Sequence, residues 1–213
     1  MVLLLAEDGW ALELGYRHID TAEFYNNQRE IGEGIASAPV NREDIFLTTK
    51  IWRSNLNHDD AIESARENVN KLGVEYVDLL LIHWPGNTVP VEETLGAMAK
   101  LQEEGTTRWI GVSNFSVSQL RKTRRVSDVP IITDQVEYHP FTSQAELVEF
   151  CIENEVMVTA YSPLGKGNVV DDGTLAAIGE QYGKSAPQVA LRWLVQQEMV
   201  AAIPKTSSGT VPP

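Results

Sequence analysis

The sequence predicts an α/β fold built around a parallel β-sheet. Three observations carry that reading: short, near-continuously apolar runs recur along the chain, amphipathic segments separate them, and no linker or shift in composition interrupts the alternation. Most runs follow one another at about 24 to 32 residues, the size of a strand with its return helix. The 213 residues are therefore read as one domain, 1–213. With 43% hydrophobic and 22% charged residues the chain can bury a core, which excludes global disorder.

The elements follow in order. The run Tyr16–Thr21 leads into a helical segment containing Gly32-Glu33-Gly34. After Ile45–Ile51, the polar string Asn57-His58-Asp59-Asp60 starts the helical stretch Ala61–Leu72, which Gly73 closes. Val77–Trp84 precedes Val91–Glu104, ended by Gly105, and Trp109–Asn114 precedes Leu120–Val126, opened by Ser116-Val117-Ser118-Gln119. Ile131–Tyr138 is followed by Gln144–Asn154 behind Ser143, and Val156–Pro163 by Gln188–Gln197 behind Ala186-Pro187. Val200–Thr206 is the last run. An open doubly wound sheet and a closed (β/α) barrel both fit. The open sheet usually carries a Gly-x-Gly-x-x-Gly turn after its first strand, and none occurs; Gly32-Glu33-Gly34 lies inside a helix. A barrel instead places its reactive residues at the C-terminal ends of several strands.

Composition narrows the function classes. Seventeen Lys and Arg against thirty Asp and Glu give a net charge of -13, which repels duplex nucleic acid and anionic membranes. The acids recur in pairs such as Glu103-Glu104 and Asp171-Asp172, read as a well-solvated surface that would also suit high salt. No window approaches the roughly 18 apolar residues of a membrane span. The opening Met1–Ala6 is short, lacks a basic stretch and runs into Glu7-Asp8, so a signal peptide is not expected. A single cysteine, Cys151, excludes a disulfide framework or a multi-thiolate metal site, and a cytoplasmic location is expected.

The strand ends carry the chemistry. The first complete run delivers Asp20, and Tyr25 follows five residues on. Lys50 sits inside an otherwise apolar run and needs a partner, because burying an unpaired ammonium costs several kcal/mol. His83 ends the third run. Singly, each has an ordinary structural explanation. Together, at converging strand ends, they form a coherent acid–base set. Asp20 would hold Lys50 charged, the ammonium would lower the phenol pKa of Tyr25, and His83 would direct a substrate oxygen toward that phenol. Such a site suits carbonyl reduction, in which alkoxide character develops and is quenched by the phenol proton.

At these residues the chain resembles the aldo-keto reductases, NADPH-dependent oxidoreductases built as a (β/α)8 TIM barrel. The motifs are Gly15-Tyr16-Arg17-His18-Ile19-Asp20-Thr21-Ala22 with Tyr25, Thr49-Lys50-Ile51-Trp52 and Leu81-Ile82-His83-Trp84-Pro85. They continue through Gly111-Val112-Ser113-Asn114-Phe115, Gln135-Val136-Glu137-Tyr138-His139-Pro140, Ala160-Tyr161-Ser162-Pro163-Leu164-Gly165 and Ile203-Pro204-Lys205-Thr206. The chain looks most like small prokaryotic reductases of the 2,5-diketo-gluconate or methylglyoxal type. The resemblance implies a catalytic tetrad of Asp20, Tyr25, Lys50 and His83, with Tyr25 as the proton donor. It implies that Ser113, Asn114 and Gln135 hold the nicotinamide carboxamide, and that Tyr161 stacks on the ring. Ser162 and Leu164 would line the pyrophosphate, helped by Lys166, and Lys205 and Thr206 would clamp the 2′-phosphate of NADPH. Trp52 and Trp84, with Phe24, would wall the pocket for a small carbonyl substrate. No metal is implied, and a monomer is expected.

The sequence also departs from the family pattern. Seven runs are clear where the barrel has eight strands, and the family's N-terminal hairpin and first strand are not evident unless Val2–Leu5 serves as an edge strand. The final helices, and the arginine that completes the phosphate clamp, are likewise not evident, so an incomplete barrel truncated at both ends is expected. Asp134 stands where the family usually has Asn. Two other readings remain open at this level: a non-catalytic barrel that binds nucleotide weakly or serves as an interaction module, and an isomerase or lyase using Lys50 as a Schiff-base amine. Asp20 beside Lys50 argues against the last, because a catalytic amine needs its pKa lowered.

Overall fold

The computed structural model describes residues 2–4 and 10–205. Eight parallel strands form one sheet in sequence order, each hydrogen-bonded to the next, curling into a nearly closed barrel. They are β1 (Val2–Leu4), β2 (His18–Asp20), β3 (Phe46–Ile51), β4 (Val77–Ile82), β5 (Thr107–Ser113), β6 (Ile131–Glu137), β7 (Met157–Tyr161) and β8 (Val200–Ile203). The helices are α1 (Trp10–Glu13), α2 (Gln28–Ser37), α3 (His58–Lys71), α4 (Val91–Glu103), α5 (Val117–Val126), α6 (Ala145–Glu153), α7 (Gly173–Glu180) and α8 (Ala186–Val195). β1 is the segment whose strand character the sequence leaves open. It pairs with β2 in the register Val2↔His18, Leu3↔Ile19, Leu4↔Asp20.

Local chemistry sets the helix boundaries. Asn57 accepts the Asp60 N–H at the start of α3, and Ser116 and Gln119 bond reciprocally at the start of α5. Asp172 caps α7 by accepting the Leu175 N–H at 2.8 Å, which gives one of the paired acids a structural use. Gly32 shows why glycine sits inside α2: a Cβ there would lie 2.3 Å from the Leu72 carbonyl oxygen at the end of α3. That glycine serves helix packing, not a phosphate turn.

The two faces of the strands differ. Outward residues such as Ile19, Leu47, Ile51, Leu80, Ile82, Ile110, Val112, Val136, Val158 and Ala160 join the helices in the main apolar cluster. The inward positions carry polar groups that bond between neighbouring strands: His18 with Thr48 at 3.0 Å, Thr133 with Thr159 at 2.9 Å, and Lys50 with Asp20. On β5, a Cβ on Gly111 would lie 2.8 Å from both a Leu81 methyl and the Thr133 carbonyl oxygen, so the neighbouring strands leave no room for a side chain there. Toward the N-terminal ends of the strands, Asp78 accepts the Leu47 N–H and pairs with Arg42 and Arg108, a charge cluster that locks β3, β4 and β5 together.

Asp134 is a buried carboxyl on the outer face of β6. It is fully buried, its Oδ1 accepts only a long 3.4 Å bond from the Phe115 N–H, and its Oδ2 has no partner among the described residues. Burial pushes its pKa up to about 7. A carboxyl raised above its unfolded value favours the native state while protonated, so this contribution is full below about pH 4 and is lost as pH rises through about 7. Asp134→Asn is expected to stabilise the protein by about 1–3 kcal/mol at pH 8.5 and much less near pH 5, read by thermal melts at both values. A destabilisation at both would contradict this account.

Candidate active site

The C-terminal ends of β2 to β8 open into one cleft of about 730 Å³. Phe24, Tyr25, Trp52, His83 and Trp84 form one wall, and Ser113, Asn114, Gln135, Tyr161 and Ser162 line the rest, with Lys205 at the edge. The four residues expected to act together are brought together. Asp20 and Lys50 lie beneath the cleft floor as a fully buried ion pair. Lys50 Nζ also donates to the Thr21 carbonyl oxygen at 2.9 Å and lies 5.4 Å from the centre of the Tyr25 ring. The Tyr25 and His83 rings meet edge to face at 5.8 Å.

The pair's surroundings explain why a lysine can be buried here. Burial pulls the Lys50 pKa below its ordinary value, and the charge and hydrogen bond of Asp20 push back against that. The second oxygen of Asp20 accepts the Gln135 side-chain amide at 2.7 Å, which ties the ion pair on β2 and β3 to β6.

The expected effect on Tyr25 is corrected by the structure. The phenol pKa lies above its ordinary value, because burial against neighbouring rings and the negative charge of Asp20 both oppose the phenolate. The Lys50 charge is directed into Asp20, so it does not prevail over them at the phenol. His83 moves the other way. Burial and the nearby Lys50 ammonium lower its pKa to about 4, so its imidazole is neutral at ordinary pH. Its Nδ1 is buried without a hydrogen-bond partner among the described residues, which favours the tautomer with the proton on Nε2.

The polar side of the cleft is pre-arranged. Ser113 Oγ donates to the Gln135 carbonyl oxygen at 2.7 Å, and Asn114 Nδ2 donates to the His83 carbonyl oxygen at 3.0 Å. The Tyr161 hydroxyl donates to Asn114 Oδ1 at 2.9 Å. Asn114 (φ 64°) and Ser162 (φ 48°) both take left-handed backbone at the strand ends, a strained conformation that recurs at binding sites.

Some expected positions fall elsewhere. The Leu164 side chain packs with Val169, Leu175, Ala186 and Ala190 and does not line the cleft. Lys166 pairs with Glu137 at 3.0 Å. Thr206 lies outside the described residues. Two lining residues escape the sequence reading. Asn27, which accepts the Thr21 hydroxyl at 3.0 Å, follows Tyr25 too closely to stand out, and Ile203 reads as one more apolar residue of β8.

Comparison with known proteins fits this geometry. Residues 10–209 match the sequence model of the Aldo/keto reductase family. A methylglyoxal reductase of Yersinia pestis is 40% identical over 189 residues, covering 87% of this chain and 71% of that protein. A solved structure described as a 2,5-diketo-D-gluconic acid reductase B candidate is 45% identical with a TM-score of 0.92, covering 94% of this chain and 71% of that one. An aldo-keto reductase crystallised with NADPH is 35% identical with a TM-score of 0.89, covering 94% of this chain and 68% of that one. Residues, barrel and cleft agree, and the chain belongs to the aldo/keto reductase family of oxidoreductases.

Proposed function

We propose that this chain reduces small aldehydes and ketones to alcohols with NADPH, with Tyr25 donating the proton. The observation that carries the reading is the meeting of a raised-pKa phenol and a neutral imidazole over a buried Asp20–Lys50 pair, in a cleft with one aromatic and one polar wall. The polar wall fits a nicotinamide cofactor. Ser113, Asn114 and Gln135 offer hydroxyl and amide groups for a carboxamide, Tyr161 offers a flat face for a planar ring, and Lys205 offers a cation for a phosphate. When bound, that cofactor supplies a hydride to the carbonyl carbon.

The chain's own residues do the rest. Neutral His83 donates from Nε2 to the carbonyl oxygen and turns it toward Tyr25. The Tyr25 phenol stays protonated across the working pH range, so the proton is present when the oxygen gains negative charge. Lys50 places a positive charge 5.4 Å from the centre of the ring that gives up the proton, and Asp20 keeps Lys50 charged and fixed. Phe24, Trp52 and Trp84 give the reacting carbonyl an apolar wall.

The chain spans about 70% of the length of these relatives. Monomeric, cytoplasmic action is proposed with the activity. Among the described residues, no helix is long and apolar enough to cross a membrane. Purified protein is expected to oxidise NADPH at 340 nm when given methylglyoxal or p-nitrobenzaldehyde. Absence of turnover in protein that is folded and binds NADPH would overturn the catalytic reading.

A further inference from the structure

We propose that Glu23 is a positioning residue: its carboxylate locks the turn bearing Tyr25 to the loop bearing Trp52, so that the proton donor and the aromatic wall meet the carbonyl as one unit. The proposal rests on the reductase reading above. Tyr25 is the last residue of a single 3-10 turn, Glu23–Tyr25. Ala22 before the turn provides no side-chain cap, and Asn26 after it is left-handed at φ 52°. A turn this short does not hold its own position.

Glu23 supplies what the turn lacks. Its Oε2 accepts the Trp52 N–H at 2.9 Å and the Ser64 hydroxyl at 2.8 Å, and its Oε1 accepts the Asn55 amide at 2.6 Å. These three donors come from the loop after β3 and from α3, and bonds to an ionised acceptor are roughly twice as strong as neutral ones. The next residue reinforces the grip: Phe24 stacks on Trp52 at 4.2 Å with planes 22° apart. Residues 23 and 24 therefore hold the same loop, and residue 25 presents the phenol. Because β3 also carries Lys50, the lock fixes the phenol against its charged neighbour as well.

Glu23→Ala and Glu23→Gln test this. A misplaced reacting group loses rate steeply, so Glu23→Ala is expected to lower kcat by about tenfold or more. The NADPH Kd should stay within about twofold, because the cofactor wall is untouched, while the solvent deuterium isotope effect on kcat rises as proton transfer becomes limiting. Glu23→Gln should recover most of kcat, since its carbonyl still accepts the Trp52 N–H. Wild-type kcat and isotope effect in Glu23→Ala would overturn the proposal. If Glu23→Ala does not fold, Asn55→Ala and Ser64→Ala each remove one donor and should each raise the isotope effect; no rise in either would overturn it. Hydrogen exchange gives a readout without turnover. Glu23→Ala should speed exchange in residues 22–27 and 52–55 but not in β3, and unchanged exchange would overturn the lock. A wild-type protein without turnover would sink the reductase reading alone, and the exchange result would then decide the lock.

Discussion

Tyr25→Phe is expected to lower NADPH-dependent carbonyl reduction about a thousandfold, while NADPH binding stays within about twofold. The substitution removes one oxygen and leaves the ring to pack against His83 and Phe24. Its effect on the fold should be small, because Tyr25 is more than a third exposed. What disappears is the proton that must reach the carbonyl oxygen as charge develops there. Burial and Asp20 hold the phenol pKa above its ordinary value, so reduction should stay flat between pH 6 and 9. An acid limb is expected only near pH 4, where His83 takes up a second proton on its buried Nδ1 and places another positive charge near Lys50. Initial rates from pH 4 to 9, with fluorescence titration of NADPH, check both statements. Retention of a tenth or more of wild-type activity by Tyr25→Phe would assign the proton to another group.

Lys50→Met is expected to abolish activity and to destabilise the fold by about 3–5 kcal/mol, the range for removing one partner of a buried ion pair. Asp20 would stay fully buried with the Gln135 amide as its remaining side-chain donor. The methionine fills a similar volume, so the loss measures charge and not a cavity. The double variant Asp20→Asn with Lys50→Met should regain much of the stability, because neither side chain is then charged, but none of the activity. Denaturant melts beside the 340 nm assay separate the two effects. A double variant as unstable as Lys50→Met alone would place the cost in packing.

Much of this was legible in the sequence because barrels put reactive groups at strand ends. Asp20, Lys50 and His83 stand out as ionisable residues next to the ends of apolar runs, and the structure gathers them with Tyr25. Ser113, Asn114, Gln135 and Tyr161 lie at the ends of later strands and line the same cleft. What escaped depends on contacts between distant segments. Glu23 and Ser64 are 41 residues apart and meet only after α3 folds back along β3. The Leu164 side chain follows the apolar pull of α7 and α8 away from the cleft. Helix α7 carries glycines at both ends of its periodic stretch, which blurs its pattern, and β1 has only three residues. The direction of the Tyr25 shift was not legible either. It depends on how much of the Lys50 charge Asp20 absorbs and on the rings around the phenol, which are properties of the assembled site.

The central claim is that this cleft brings a reduced nicotinamide and a carbonyl together with a proton donor on the chain. The most direct measurement is product analysis after reduction of p-nitrobenzaldehyde with NADPH deuterated at C4 on the transferring face. The account predicts one deuterium on the alcohol carbon of every product molecule and a hydroxyl proton that comes from solvent by way of Tyr25. Alcohol formed without deuterium on that carbon, or cofactor consumed with no alcohol formed, would contradict it.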